Sequence, residues 1–313
     1  MGERVVDPVT SLARAGRITV NFHPDRIAVG GVSVANGLAA DGRYRSQWAT
    51  GISSGGRTAF PGGDRQAFER SLFDGAYDTA DPHRDEFPVY GALDLLIDPL
   101  GGSPRFGSSY LVLADHARER TTLTVGDSHV ATPDRGTFDE PWSVLAGLAE
   151  QAAVGRLLGR DLDAADLTAV LRSRPGDRRT DRDLDHYVEA QIHGGVRLDR
   201  DVVALVVDPS FRRTDVEVAL ADAAERFGFE LSWHAGSELA AADVPGDFRG
   251  PSMPAVARRV GRADGVVDAR SIGLAARRAV VGEPRPDGDP PGSDLQQLKY
   301  LWHTLVAFGH DAT

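Results

Sequence analysis

Residues 104–113 read PRFGSSYLVL, a polar turn interrupted by glycine that continues directly into a short apolar strand. A turn of this kind can present backbone amides, two hydroxyl groups and an aromatic ring to a ligand at the rim of a β-sheet. The segment therefore predicts a strand at residues 109–113 with a binding loop directly in front of it.

Other strands are predicted on both sides of this segment. Residues 17–22, RITVNF, alternate polar with apolar or β-branched side chains, so they predict a half-buried strand that ends before Pro24, with His23 just past its end. Further strands are predicted at residues 89–97, 121–125, 187–193 and 202–207, and helical spacing is found at residues 144–157 and 162–171. The pattern predicts an α+β fold.

Residues 30–63 are dense in glycine, so we expect a loop with at most one short helix there. Beyond residue 210 the pattern becomes helical, with one helix predicted from Thr214 to Gly228 and another from Ser293 to Gly309. Proline-rich residues 283–292 predict a polar linker before the last helix.

Composition excludes several classes of function. The formal net charge of −11 argues against bulk binding of nucleic acid, which requires clustered positive charge. The chain contains no cysteine, which excludes disulfides, thiolate zinc sites and a cysteine nucleophile. Neither a signal peptide nor an apolar run of membrane-spanning length is recognisable. We expect a cytoplasmic protein without a membrane partner, or an effector delivered without a signal peptide.

Residues 187–194, YVEAQIHG, contain the clearest candidate for a working surface. Strand alternation places Tyr187, Glu189, Gln191 and His193 on one face and two apolar residues on the other. Two interpretations remain open, because the solvated face of an edge strand has the same pattern as a functional surface.

Other candidates are weaker. His23 and Arg26 follow a strand end, where ligand-binding groups often gather. Residues 42–56 combine Arg45 with glycines and hydroxyls, a composition that can hold phosphate without matching a P-loop. Residues 126–129, GDSH, predict a capped turn. A metal site formed by His23, Asp25, Asp127 and His129 is an alternative, although their spacing matches no known ligand pattern.

Several segments together resemble a bacterial family, domain-of-unknown-function family 3626. They include residues 21–26 (NFHPDR), 44–47 (YRSQ), 90–93 (YGAL), 103–110 (SPRFGSSY), 126–128 (GDS), 189–194 (EAQIHG) and 247–254 (DFRGPSMP). More distantly, the order of strand, His23, glycine-containing loop and Glu189 resembles the ADP-ribosyltransferase superfamily. That resemblance implies split, strongly bent β-sheets with NAD as the substrate.

The superfamily resemblance also implies roles for individual residues. His23 would bind the NAD ribose, Tyr110 would stack on nicotinamide, and Glu189 would be the catalytic acid. The remaining NAD-binding residues would be Arg26, Arg45, Arg105, Gly107, Ser108, Ser109 and Gln191. The sequence departs from the superfamily in three places. Pro24 replaces a glycine whose N–H would contact nicotinamide, Tyr110 stands one residue closer to Phe106 than the superfamily pattern has it, and Gln191 replaces a second acid.

We therefore expect an α+β domain of the ADP-ribosyltransferase type at residues 15–210, with a mostly helical region at residues 211–313 packed on it. The expected activity is cleavage of the nicotinamide–ribose bond of NAD and transfer of ADP-ribose to an unknown acceptor, possible acceptors including a protein. The alternatives are a non-catalytic nucleotide- or peptide-binding module of an effector or toxin system, and a metal-dependent hydrolase.

Overall fold

The computed structural model describes residues 12, 14–28, 30–52, 59–79, 87–129, 134–171, 184–281 and 293–312. The linker predicted at residues 283–292 lies outside the described residues, as do Ser53 and the glycine pair at 55–56.

The described residues form short strands and helices that are interspersed along the chain. The strands are β1 (Arg17–Phe22), β2 (Arg43–Tyr44), β3 (Val89–Asp94), β4 (Ser109–Leu113), β5 (Thr121–Val125), β6 (Arg135–Thr137), β7 (Val188–Ile192), β8 (Val196–Arg197), β9 (Val202–Val207), β10 (Glu230–Trp233), β11 (Leu239–Ala240) and β12 (Val266–Val267). The helices are α1 (Val34–Asp41), α2 (Gln47–Thr50), α3 (Asp64–Leu72), α4 (Trp142–Ala153), α5 (Ala164–Val170), α6 (Leu198–Asp201), α7 (Asp215–Phe227), α8 (Met253–Val260), α9 (Ala269–Val281) and α10 (Ser293–Phe308).

Within the described residues, eight strands form one mixed sheet in the order β10-β9-β4-β1-β3-β7-β5-β6. Neighbouring strands are antiparallel except β9 and β10, which are parallel and joined by α7. The sheet and helices confirm the α+β class. In the part of the chain that the structure describes, this main sheet is not split in two as the resemblance implied. β1 pairs with both β3 and β4, so it joins the strands on its two sides into one sheet.

The strand register separates a polar face of this sheet from an apolar one. Glu189 lies opposite Ala92, and Asn21 lies opposite Tyr110. Because side chains alternate along strands, these residues share one face. The polar face carries Thr19, Asn21, Tyr90, Asp94, Tyr110, Thr122, Thr124, Glu189 and Gln191. The opposite face carries the buried side chains Ile18, Val20, Leu93, Leu111, Leu123, Val188, Ile192 and Leu205.

The expectation of at most one short helix in residues 30–63 is wrong. The structure places α1, β2 and α2 there. The Ser33 hydroxyl accepts a hydrogen bond from the Asn36 N–H and caps the start of α1, while Gly42 and Gly51 adopt left-handed conformations directly after α1 and α2. The glycines therefore end helices instead of preventing them.

The C-terminal region packs on the sheet and also extends it. β10 is the edge strand beside β9, so residues on both sides of position 210 contribute to one sheet. Helix α10 packs against the turn at Pro104–Phe106, where the Trp302 indole N–H donates to the Pro104 carbonyl oxygen at 2.8 Å. Among the described residues, no helix has the length and apolarity needed to span a lipid bilayer.

Candidate functional site

The segment before β4 is held over the polar face by side chains of β1. The Asn21 amide donates to the Leu100 carbonyl at 2.8 Å and accepts from the Ser103 N–H at 3.2 Å. The Thr19 hydroxyl accepts from the Gly102 N–H at 2.9 Å. These hydrogen bonds fix the path of residues 98–107, of which Arg105 and Phe106 line a cleft.

The cleft has a volume of about 1000 Å³ and lies over the polar face. Its walls come from the end of β1, the segment from α1 to α2, the start of β3, the turn at residues 105–106, the turn after β5 and the start of β7. Segments far apart in sequence therefore meet around one space large enough for a dinucleotide-sized ligand.

Glu189 lies in the wall of the cleft and is only 5% exposed. Ser128 and Gln191 donate to its Oε1 atom, the latter at 2.8 Å, and the Tyr187 hydroxyl donates to Oε2 at 3.4 Å. Three donors from β7 and from the turn after β5 therefore hold this carboxylate in one orientation.

The pKa of Glu189 is raised to about 7, mainly by burial. The nearby Asp127 carboxylate raises this pKa as well, whereas the hydrogen bonds from Ser128 and Gln191 lower it. Near neutral pH the side chain therefore lies close to its titration midpoint. A cation that enters the cleft will favour its ionised form.

Gln191 fixes the position of Glu189 without lining the cleft itself. Its carbonyl accepts from the Thr122 hydroxyl at 2.8 Å, and its amide also donates to the Thr124 hydroxyl at 3.1 Å. Strand β7 lies between β3 and β5 with all five residues buried. The interpretation of this segment as a solvated edge strand is therefore wrong.

His23 lines the same cleft as Glu189. Its ring meets the Trp302 ring edge-on at a centroid distance of 5.0 Å, so α10 helps to position it. Burial lowers the pKa of His23 to about 3, and the Arg26 guanidinium acts in the same direction. The imidazole is therefore neutral at physiological pH and can donate one hydrogen bond and accept another.

The three arginines expected to bind NAD, which are Arg26, Arg45 and Arg105, also line the cleft. Arg45 forms an ion pair with Asp41 at 2.9 Å, and Arg105 forms one with Asp185. These arginines place guanidinium groups in the lining of the cleft, which suits a ligand with phosphate groups.

Other expected site residues lie outside the lining of the cleft. Tyr110 is on the same face as Glu189, but its hydroxyl donates to the Pro99 carbonyl and accepts from Arg17, both at 3.2 Å. Ser109 accepts from the Asp208 N–H, and Ser108 is buried. A Cβ atom on Gly107 would lie 2.1 Å from the backbone of Phe22, so this glycine serves close packing.

A second buried carboxylate borders the cleft and was not predicted. Glu69, on α3, accepts hydrogen bonds from the Trp48 indole at 2.8 Å, from Arg65 at 2.9 Å and from the Tyr90 hydroxyl at 3.0 Å. Tyr90 lines the cleft and lies on the same face as Glu189, one strand away. The only sequence signal for this arrangement is the helical spacing between Arg65 and Glu69.

The sequence is similar to one protein family and to two phage proteins. A family model described as "Protein of unknown function (DUF3626)" matches residues 17–308. The chain belongs to this family. Gene 2 protein of Mycobacterium phage L5 is 28% identical to the DUF3626 chain over 159 residues, 51% of this chain and 56% of the phage protein. Gene 2 protein of Mycobacterium phage D29 is 28% identical over 180 residues, which are 57% of this chain and 63% of the phage protein. Each match covers less than two thirds of the relative.

The alternative metal site of the DUF3626 chain would require a compact group of ligands. Among the described residues, no group of three or more histidine, aspartate or glutamate side chains is arranged to hold a metal ion. Within the turn at residues 126–129, Asp127 instead accepts from the His129 N–H at 3.0 Å, which is the capped turn predicted from the sequence.

Proposed function

We propose that this chain is an NAD-consuming enzyme of the ADP-ribosyltransferase type, which cleaves the nicotinamide–ribose bond and transfers ADP-ribose to an acceptor. The observation that carries the proposal is the carboxylate of Glu189, which is buried, held by three donors and part of the lining of a cleft of about 1000 Å³.

The chemistry requires such a group. When the bond between C1′ of the ribose and the ring nitrogen of nicotinamide breaks, its electron pair stays on nicotinamide and the sugar becomes positively charged, similar to the oxocarbenium ion of glycoside cleavage. A fixed carboxylate beside the sugar stabilises charge that exists mainly in the transition state. The acceptor nucleophile then forms a bond to C1′ and loses its proton.

The remaining groups of the cleft would position NAD. His23, neutral and half-buried at the end of β1, would hydrogen-bond the ribose hydroxyls. Arg26 and Arg45 would contact the pyrophosphate. We assign the aromatic role expected for Tyr110 to Tyr90, because Tyr90 lines the cleft on the Glu189 face and Tyr110 does not.

The decisive variant is Glu189→Gln, which keeps the size of the side chain and removes its charge. We expect this variant to lose NAD turnover at least 100-fold, on the order of a lost transition-state contact, while it binds NAD with little change. Release of nicotinamide, measured by chromatography, reports turnover, and isothermal titration calorimetry reports binding. Glu150→Gln, an exposed glutamate on α4, is the matched control and should behave as the wild type.

The same experiment separates the other functions. Wild-type protein that binds NAD but releases no nicotinamide would be a non-catalytic nucleotide-binding module. Wild-type protein that neither binds nor cleaves NAD would contradict the proposal altogether. Turnover that survives in Glu189→Gln would remove Glu189 from the reaction, and turnover abolished by a chelator would favour the metal-dependent hydrolase.

A further inference from the structure

Four basic side chains gather where α10 packs on the turn at residues 104–106. They are Arg105 from the turn, Arg249 from the segment before α8, and Lys299 and His303 from α10. Arg105 and Arg249 both contact the carboxylate of Asp185, the latter at 3.6 Å. Their side chains are 14% and 25% exposed, whereas that of Asp185 is 53% exposed.

Buried hydrogen-bonding atoms in this cluster lack partners. The Nε atoms of Arg105 and Arg249 are buried without a hydrogen bond to any described residue. Neither ring nitrogen of His303 has a partner in good hydrogen-bonding geometry, although the backbone of Arg105 approaches the ring and raises the pKa of His303. His303 is only 1% exposed. A buried polar atom without a partner is costly, so native proteins rarely leave four of them in one place unless a ligand or water satisfies them.

The electrostatics of the cluster favour an anion. Besides burial, the positive charges of Arg249, Arg105 and Lys299 lower the pKa of His303, to about 2. The pKa of Lys299 is also lowered, by burial and then by Arg105 and Arg249. These cations therefore repel one another in a partly dehydrated site, and a bound anion would relieve that repulsion.

The cluster is continuous with the cleft. Arg105 and Asp185 belong to both, because each lines the cleft. Asp127, another lining residue, is within electrostatic range of both Lys299 and Glu189. The ring of Phe106, next to Arg105, contacts the ring of Tyr187 at 5.7 Å, and Tyr187 donates to Glu189. Arg105 and Asp185 therefore connect the cluster to the ligand space of the cleft.

We propose that Arg105, Arg249, Lys299 and His303 form a subsite for a phosphate group of the ligand that occupies the cleft. The phosphate replaces the exposed carboxylate of Asp185 between the two arginines and accepts a hydrogen bond from the neutral imidazole of His303. This inference rests on the proposed function only for the identity of the ligand. The phosphate belongs either to the pyrophosphate of NAD or to a phosphorylated acceptor.

The test uses the full chain and inorganic pyrophosphate as the probe, with affinity measured by isothermal titration calorimetry. Arg249→Gln should weaken pyrophosphate binding about tenfold or more, the usual effect of losing a charge-assisted hydrogen bond. Asp185→Asn should strengthen it, because the competing carboxylate is removed. Arg258→Gln, an exposed arginine on α8, is the matched control and should leave binding unchanged.

Thermal unfolding of each variant verifies that the fold is intact, and Asp185→Asn covers the case in which the arginine variant does not fold. The subsite is contradicted if the wild type does not bind pyrophosphate. It is also contradicted if Arg249→Gln and Arg258→Gln change the affinity for pyrophosphate equally while Asp185→Asn leaves it unchanged.

Comparison of NAD with nicotinamide riboside, which lacks pyrophosphate, distinguishes the two sources of phosphate. If Arg249→Gln weakens NAD but not nicotinamide riboside, the subsite holds the pyrophosphate of NAD. If Arg249→Gln weakens the binding of inorganic pyrophosphate but not that of NAD, the subsite binds a phosphate group of the acceptor. The protein could bind pyrophosphate through Arg249 and yet neither bind nor cleave NAD. That result would support the subsite and contradict the proposed function.

Discussion

At the scale of single residues, the charge on Glu189 couples the site to the stability of the fold. The pKa of its carboxyl group is about 7 in the folded protein, against an ordinary value of 4.5. The folded state therefore holds this proton more tightly than the unfolded state does. The resulting contribution to stability is complete below pH 4.5 and is lost as the pH rises through 7.

The prediction concerns the difference between wild type and Glu189→Gln. From pH 5 to pH 8.5 the variant should gain stability relative to wild type, by up to about 3 kcal/mol. Urea unfolding of both proteins at the two pH values measures this gain, with Glu150→Gln as the control that should follow wild type. Parallel pH profiles for wild type and Glu189→Gln would show that Glu189 ionises as freely as in the unfolded chain.

The sequence could indicate part of the site at this scale. Alternation along residues 187–193 places Glu189 and Gln191 on one face, and the register confirms it. The contact with Ser128 could not be foreseen, because Ser128 reaches Glu189 from the turn after another strand, β5. The choice between Tyr90 and Tyr110 also depends on how residues 98–107 cross the sheet, which local pattern does not encode.

At the scale of elements, the close approach of β1 to the turn before β4 depends on Gly107. A Cβ atom there would lie 2.1 Å from the backbone of Phe22, which cannot move without disturbing β1. We predict that Gly107→Ala lowers the free energy of unfolding by about 3 kcal/mol through overpacking. Gly37→Ala, within α1, should instead raise the free energy of unfolding by roughly 0.5–1 kcal/mol, because a Cβ atom there would meet nothing outside its own helix backbone and chain neighbours within 4 Å. Denaturant titration compares the two, and equal effects would contradict the packing role.

Strand positions followed well from the sequence, and the helices of residues 30–63 did not. Residues 17–22, 109–113, 121–125 and 202–207 are strands with the predicted bounds, because alternation and flanking breakers agree there. In the glycine-rich segment the breakers lie at the ends of α1 and α2, and α1 is stabilised by tertiary packing against α7 and β2.

At the scale of the whole molecule, residues beyond 210 complete both the core and the site. Buried side chains of α10 belong to the main hydrophobic core, and Trp302 contacts both Pro104 and His23. We predict that residues 15–210 expressed alone lose cooperative thermal unfolding, because β9 loses its neighbour β10 and apolar surface becomes exposed. Calorimetry and near-UV circular dichroism measure this, and addition of residues 211–313 should restore the transition. A cooperative transition in the short fragment would show that it folds independently.

The position of β1 has a consequence for biosynthesis. This strand precedes both of its partners in the chain and lies in the middle of the sheet, and β3 and β4 begin only at Val89 and Ser109. β1 must therefore wait, with its apolar side chains uncovered, until both later strands have been translated. Nascent chains that end before Leu113, the last residue of β4, are the stage at which chaperone assistance matters most.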